Sequence, residues 1–313
     1  MSIGVSRTRS RWALPSILVA VAIAAGVDSA PAQNLDDVEI RATHVAGNVH
    51  MLEGAGGNIG VSVGSDGILL IDDQFAPLAE KIRAAVKNID KGKIEFVLNT
   101  HWHGDHTGGN PFFGREAKIL AHSNVRRRLS GEKPTAGRPV ANVDPKGLPV
   151  LTYEQGITLH FNGEEVRVVH VPRGHTDGDS IIFFERSKVL HMGDQFTNGR
   201  FPFVDMASGG TLDGYIANVT KVLETVPDDW KIIPGHGPLG TKADLKRFKE
   251  MIETTVAWVR ERIDGGKSVE EIVAEGLPEK WKSWGEGFVS EERWIQTIHQ
   301  SLTTASEKKD ADA

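Results

Sequence analysis

With 313 residues, 39% of them hydrophobic and 25% charged, the chain falls in the ordinary globular range and can bury a sizeable core, which excludes a wholly disordered protein. A net charge of −6 argues against a nucleic-acid partner, whose phosphates select a basic face. There is no cysteine, so disulfides, thiolate nucleophiles and cysteine metal ligands are excluded together, and any metal must be held by histidine and carboxylate.

At the start of the chain, Arg7, Arg9 and Arg11 precede an apolar stretch from Trp12 to Val27 and then Ala30-Pro31-Ala32. That layout predicts a cleavable signal over residues 1–32, a mature chain beginning at Gln33, and a periplasmic or secreted destination. The stretch is short for a bilayer span, which takes about 20 apolar residues, so no stable membrane anchor is expected after cleavage.

Short apolar or alternating runs at Val49 to Leu52, Ile59 to Val63 and Ile68 to Ile71, parted by Gly and Asp, predict a meander of strands. Ala76 to Ile89 sets Leu78, Ile82, Ala85 and Val86 at helical spacing, and Ile94 to Leu98 reads as a buried strand. Lys118 to Ala121 and Asn124 to Leu129 suggest a further strand and helix, with Arg126-Arg127-Arg128 a solvated helix face. Gly131 to Gly147 reads as a surface loop. Strands then recur at Val150 to Tyr153, Ile157 to Phe161, Val166 to Val171, Ile181 to Phe184 and Val189 to Met192. Helical patterning at Leu212 to Val226 and Ala243 to Ile263 flanks the short run Trp230 to Ile233. The α/β pattern predicts stacked sheets with helices outside, in a domain over 33–263. A helical extension over 264–313 should pack on that domain, with Trp281, Trp284 and Trp294 as anchors.

The run His101-Trp102-His103-Gly104-Asp105-His106 follows the strand ending at Leu98 and packs three histidines and an aspartate into six positions. On extended backbone, His101, His103 and Asp105 would project to one face while a turn at Gly104 brings His106 round. The other histidines (His44, His50, His122, His160, His170, His191 and His299) lack such spacing and read as core or surface residues.

H-x-H-x-D-H after a buried strand resembles the metal-binding signature of the metallo-β-lactamase superfamily. Gly174-His175-Thr176, Gly193-Asp194 and Pro234-Gly235-His236-Gly237 resemble its later stations, in order. Asp72, at the end of an apolar strand, resembles the aspartate that supports the metal loop from behind. The resemblance implies a four-layered αββα sandwich with the site along one edge. It also implies two zinc ions, the first on His101, His103 and His175, the second among Asp105, His106 and His236, with Asp194 bridging. Iron or manganese would suit the same donors. Zinc keeping an open position can turn bound water into hydroxide at neutral pH for attack on a carbonyl carbon, with Asp105 as the catalytic residue that orients it. The other zinc would take charge developing on the carbonyl oxygen or the leaving group.

Two departures bear on substrate. The best-known lactamases of the family carry cysteine or serine where Asp194 stands, whereas aspartate is what its thioesterases carry. Arg173 occupies a place where the family usually has proline, and is expected to reshape the pocket wall. Asn198 and Arg200, in a probable loop after Asp194, are candidate substrate contacts, with Arg200 for an anionic group. Glu53 to Asn58 reads as a tight glycine turn where lactamases carry a flap. The expected function is an exported hydrolase of a small β-lactam, lactone or thioester. The alternatives are a metal-binding or redox accessory protein on the same fold and a phosphodiesterase.

Overall fold

The computed structural model describes residues 35–133, 135 and 144–311; the predicted leader and much of the 131–147 loop lie outside the described residues. Strands β1 (Arg41–Ala46), β2 (Val49–Glu53), β3 (Ile59–Gly64), β4 (Gly67–Ile71), β5 (Ile94–Leu98), β6 (Lys118–His122) and β7 (Leu151–Tyr153) form one sheet in chain order. It is antiparallel through β4 and parallel from β4 to β7. A second sheet runs β13-β12-β11-β10-β9-β8, from β8 (Gly156–Phe161), β9 (Glu164–His170), β10 (Ser180–Phe184), β11 (Val189–His191), β12 (Lys231–Ile233) and β13 (Gly240–Thr241).

The two-residue period of a strand explains the layers. In β4, Leu69 and Ile71 face the second sheet and meet Val168, Ile182 and Phe184. Ile68 and Leu70 face outward and pack against Ile82 and Val86 of helix α1 (Ala79–Ile89). In β10, Ile181 and Phe183 likewise face outward, toward α5 (Leu212–Thr225) and α6 (Lys242–Asp264). The intervening short helices are α2 (Gly104–Thr107), α3 (Asn110–Phe113) and α4 (Ser123–Leu129). The architecture is the expected helix–sheet–sheet–helix sandwich, and its central strands are apolar on both faces because both are covered.

The chain ends in α7 (Val269–Glu275), α8 (Glu279–Lys282) and α9 (Glu291–Ala311). Trp281, Trp284 and Trp294 are buried and share one core with Phe248 and Met251 of α6. The indole N–H groups of Trp281 and Trp294 donate to Thr254 and Thr255 of that helix at 2.9 and 3.0 Å. Among the described residues, no helix is long and apolar enough to cross a membrane.

Arg128 corrects the solvated-face expectation. It is 3% exposed and donates to Asp177 at 2.8 Å through Nε and Nη2, to Thr135 and to the Ser208 carbonyl. Thr135 is seven residues on, but Asp177 and Ser208 lie 49 and 80 residues away, beyond the reach of local charge patterning. Arg127, on the same helix, is exposed as expected.

Candidate metal centre

The site is assembled from loops that follow strands. Asp72 follows β4, residues 99–106 follow β5, His175 lies between β9 and β10, and Asp194 and His236 follow β11 and β12. The turn expected at Gly104 is present but takes Asp105 with it, which corrects the reading of Asp105 on one face with His101 and His103. His103 is the N-cap of α2, so Asp105 lies inside a helical turn and groups with His106 and His236 rather than with His101 and His103.

Two groups of donors result. His101, His103, His175 and Asp194 form one, and Asp105, His106 and His236 the other, with the ligand atoms of each lying within 4.8 Å of one another. Asp194 belongs to both by geometry. Its Oδ2 stands 3.5 Å from His175 Nε2 and 4.0 Å from His101 Nε2, while its Oδ1 stands 3.1 Å from His106 Nε2 and 3.5 Å from His236 Nε2. The Oδ2 of Asp105 is 3.2 Å from His236 Nε2.

Four of the imidazoles are oriented from behind, the usual arrangement around a metal ligand. His103 Nε2 donates to Asp205 at 2.8 Å, His106 Nδ1 to Asp72 at 2.7 Å and His175 Nδ1 to the Phe203 carbonyl at 2.6 Å. Asp72 also accepts from the Thr100 backbone N–H and hydroxyl, both at 2.7 Å, so the Thr100 oxygen is left to accept from His101 Nδ1 at 3.0 Å. Asp72 takes a φ of 65°, a conformation that costs an aspartate on the order of 1–3 kcal/mol and is held by these bonds. Sequence reasoning found Asp72 but missed Asp205, which carries no local signal.

The donor set fits divalent cations. With one ring nitrogen engaged as a donor, each of these histidines turns a bare lone pair toward the centre. His103 Nδ1 and His175 Nε2 stand 2.8 Å apart, and His101 Nε2 is buried without a hydrogen-bond partner. Protons do not resolve that half. Burial foremost, with neighbouring imidazoles, holds His101 well below the usual histidine range, and burial lowers His175 to about 4. In the other half burial opposes charge, but Asp194 and Asp105 raise His236 to about 9. There the imidazoles outweigh burial, holding Asp194 well below the usual carboxylate range and lowering Asp105 to about 2. A cation among ionised carboxylates and neutral imidazoles would satisfy both halves.

The glycine turn serves this centre. A Cβ on Gly57 would lie 2.0 Å from His106 Cε1, well inside van der Waals contact with the ring. Next to it, the Asn58 amide donates to the Pro234 and Gly237 carbonyls at 3.0 and 2.9 Å, bracketing His236. A cavity of about 500 Å³ opens beside the second group, where the side chains of His236 and Asp105 are 25% and 30% exposed. Arg200 lines this cavity, with Phe75, Phe203 and Phe288. Asn198 does not: its amide donates to the Pro238 carbonyl at 3.0 Å and steadies the loop after His236. Arg173 is exposed with a φ of 53° and is absent from the cavity wall, contrary to the expectation that it shapes it.

Residues 47–236 match the family model of the metallo-beta-lactamase superfamily. The chain is 25% identical over 211 residues to a "Beta-lactamase-like protein 2 homolog" of Caenorhabditis elegans, covering 66% of this chain and 64% of that protein. It is 29% identical over 164 residues to a hydroxyacylglutathione hydrolase of Nitrosococcus oceani, covering 51% and 55%. In both cases it spans less than two thirds of the relative's length. The crystal structure of the DIM-1 metallo-beta-lactamase superposes with a TM-score of 0.58 at 20% identity, over 70% of this chain and 99% of that one.

Proposed function

The chain belongs to the metallo-β-lactamase superfamily, and on that premise we propose that it is a binuclear zinc hydrolase of a small carbonyl compound (β-lactam, lactone or thioester). The observation that carries this reading is Asp194, whose two carboxylate oxygens face different groups of lone pairs. His101, His103 and His175 would hold one ion, Asp105, His106 and His236 the other, and Asp194 both. When bound, such ions acidify water and stabilise negative charge developing on a reacting carbonyl.

The protein's own groups supply the rest. The partly exposed Asp105 carboxylate, kept ionised, lies at the cavity wall where it would orient attacking water. Arg200 offers a cation at the same wall, and Phe75 and Phe203 give that wall an apolar lining. An exported setting, supported by the leader read in the sequence, favours lactam or lactone over coenzyme-dependent thioesters.

The test is a panel of cephalosporin, carbapenem, acyl-lactone, thioester and phosphodiester on protein of measured metal content. Two zinc ions per chain with turnover of a carbonyl substrate is the expected result. Iron with oxygen consumption would assign an oxidative member, turnover of the phosphodiester alone a phosphodiesterase, and bound metal without turnover an accessory protein.

A further inference from the structure

The wall of the cavity is built from two distant parts of the chain, and their chemistry is uneven. Phe203 sits directly over the metal donors, its ring centroid 5.9 Å from that of His103 and 6.0 Å from that of His175. Phe288, on the segment between α8 and α9, meets Phe203 edge to face at 6.0 Å and 89°. With Phe75 these rings make an apolar track from the donors to the surface. Phe288 is 75% exposed, whereas Phe201 beneath the track is 3% exposed and stacks on Trp294 at 5.8 Å. A large ring left in water at the mouth of a cavity is what an occupant with an apolar body would cover.

Two cations stand by this track: the Arg293 guanidinium lies over the Phe203 and Phe288 rings, 4.9 and 4.7 Å from their centroids, and Arg200 stands at the cavity wall itself. The stem of Arg200 runs along Gly287, where a Cβ would lie 3.1 Å from Arg200 Cδ, so the residue before Phe288 is bare to let the arginine pass. Arg200 is exposed, lines the cavity and makes no ion pair among the described residues. That separates it from Arg128, whose charge is consumed by Asp177.

We propose that the cavity takes an amphiphilic anion, with its apolar body against Phe75, Phe203 and Phe288 and its charged group on Arg200, and that Phe288 of the C-terminal extension is a specificity-determining residue. The reading as a substrate site rests on the hydrolase function proposed above. The binding geometry does not. An ordinary β-lactam or lactone without a lipophilic arm would leave Phe288 in water, so the preferred substrate carries an alkyl or aryl arm several carbons long as well as its anionic group.

The experiment is calorimetric titration of the purified protein with alkane-1-sulfonates from butane to decane and with the matched 1-alkanols, since a sulfonate is an anion that ligates zinc poorly and is not hydrolysed here. Affinity should rise about fourfold per methylene until the cavity is filled and then level off. Each sulfonate should bind more tightly than its alcohol. Arg200→Gln should erase the head-group difference and keep the chain-length dependence, while Phe288→Ala should flatten that dependence and keep the difference. Both side chains are exposed, so equal melting temperatures will show that the fold is untouched. No gain with chain length, equal binding of sulfonate and alcohol, or either signature surviving its variant overturns the proposal. Metal content and hydrolysis are read on the same samples. Absent turnover with the chain-length ladder intact rejects the hydrolase alone, and turnover with a flat ladder rejects the amphiphile alone.

Discussion

Asp72 touches neither group of inward-facing donor atoms, yet its carboxylate accepts from His106 at 2.7 Å and, through Thr100, fixes His101 as well. One buried acid therefore sets the tautomers of ligands in both halves of the centre. Asp72→Ala should lower zinc affinity about 10- to 100-fold, a loss typical of such supporting partners. Competition with a zinc-binding dye measures it. Unchanged affinity would reduce Asp72 to a loop support.

Asp194→Ala should release the second metal far more readily than the first, and activity with it. On the proposed binuclear reading, the first site would keep three imidazoles, which suffice for a catalytic zinc, whereas the second would lose an anion lying between two cations. Metal content after dialysis is the readout. Two tightly held ions in the variant would refute the bridge.

Arg128→Met should destabilise the protein by about 3 kcal/mol, because it leaves a half of a buried ion pair behind. Lys133, which also contacts Asp177, softens the loss by supplying a second cation. A denaturant midpoint within error of wild type would show that Lys133 replaces Arg128 fully.

His122 is held neutral in the folded chain. Burial first, and the neighbouring His170 second, lower it to about 4, and the two rings stack at 3.8 Å. Its Nδ1 accepts the Asn124 N–H and its Nε2 donates to the Glu154 carbonyl, a pattern that only the neutral ring satisfies. The unfolded histidine takes up its proton near pH 6.5. The stability contributed is therefore complete above about 6.5 and is lost as the pH falls from there toward 4. The unfolding free energy should fall less between pH 7.5 and 5 in His122→Gln than in wild type, and an identical pH dependence would remove His122 as the source.

Much of this architecture is legible in the sequence because burial on both faces writes itself as unbroken apolar runs. Ile94–Leu98 stops at Asn99 in the structure as in the pattern. β1 was not legible, since four of its six residues are exposed and show no alternation. The seven donor residues stand out through their motifs, and the family resemblance divides them as the structure does, but the extended reading of the run put Asp105 on the face of His101 and His103, whereas it lies in a helical turn with His106. Asp205 and Phe288 reach the site only through folding, from 102 and 185 residues beyond His103 respectively.

The Phe201 N–H donates to the Trp284 carbonyl at 3.1 Å, and the Phe201 ring lies on Trp294, so the wall of the cavity is moulded by the chain's last helices. Heredity can thus treat the two halves of the site separately. Substitutions at exposed positions of this segment, Phe288 first among them, would reshape the cavity's mouth while the donors between His101 and His236 stay fixed.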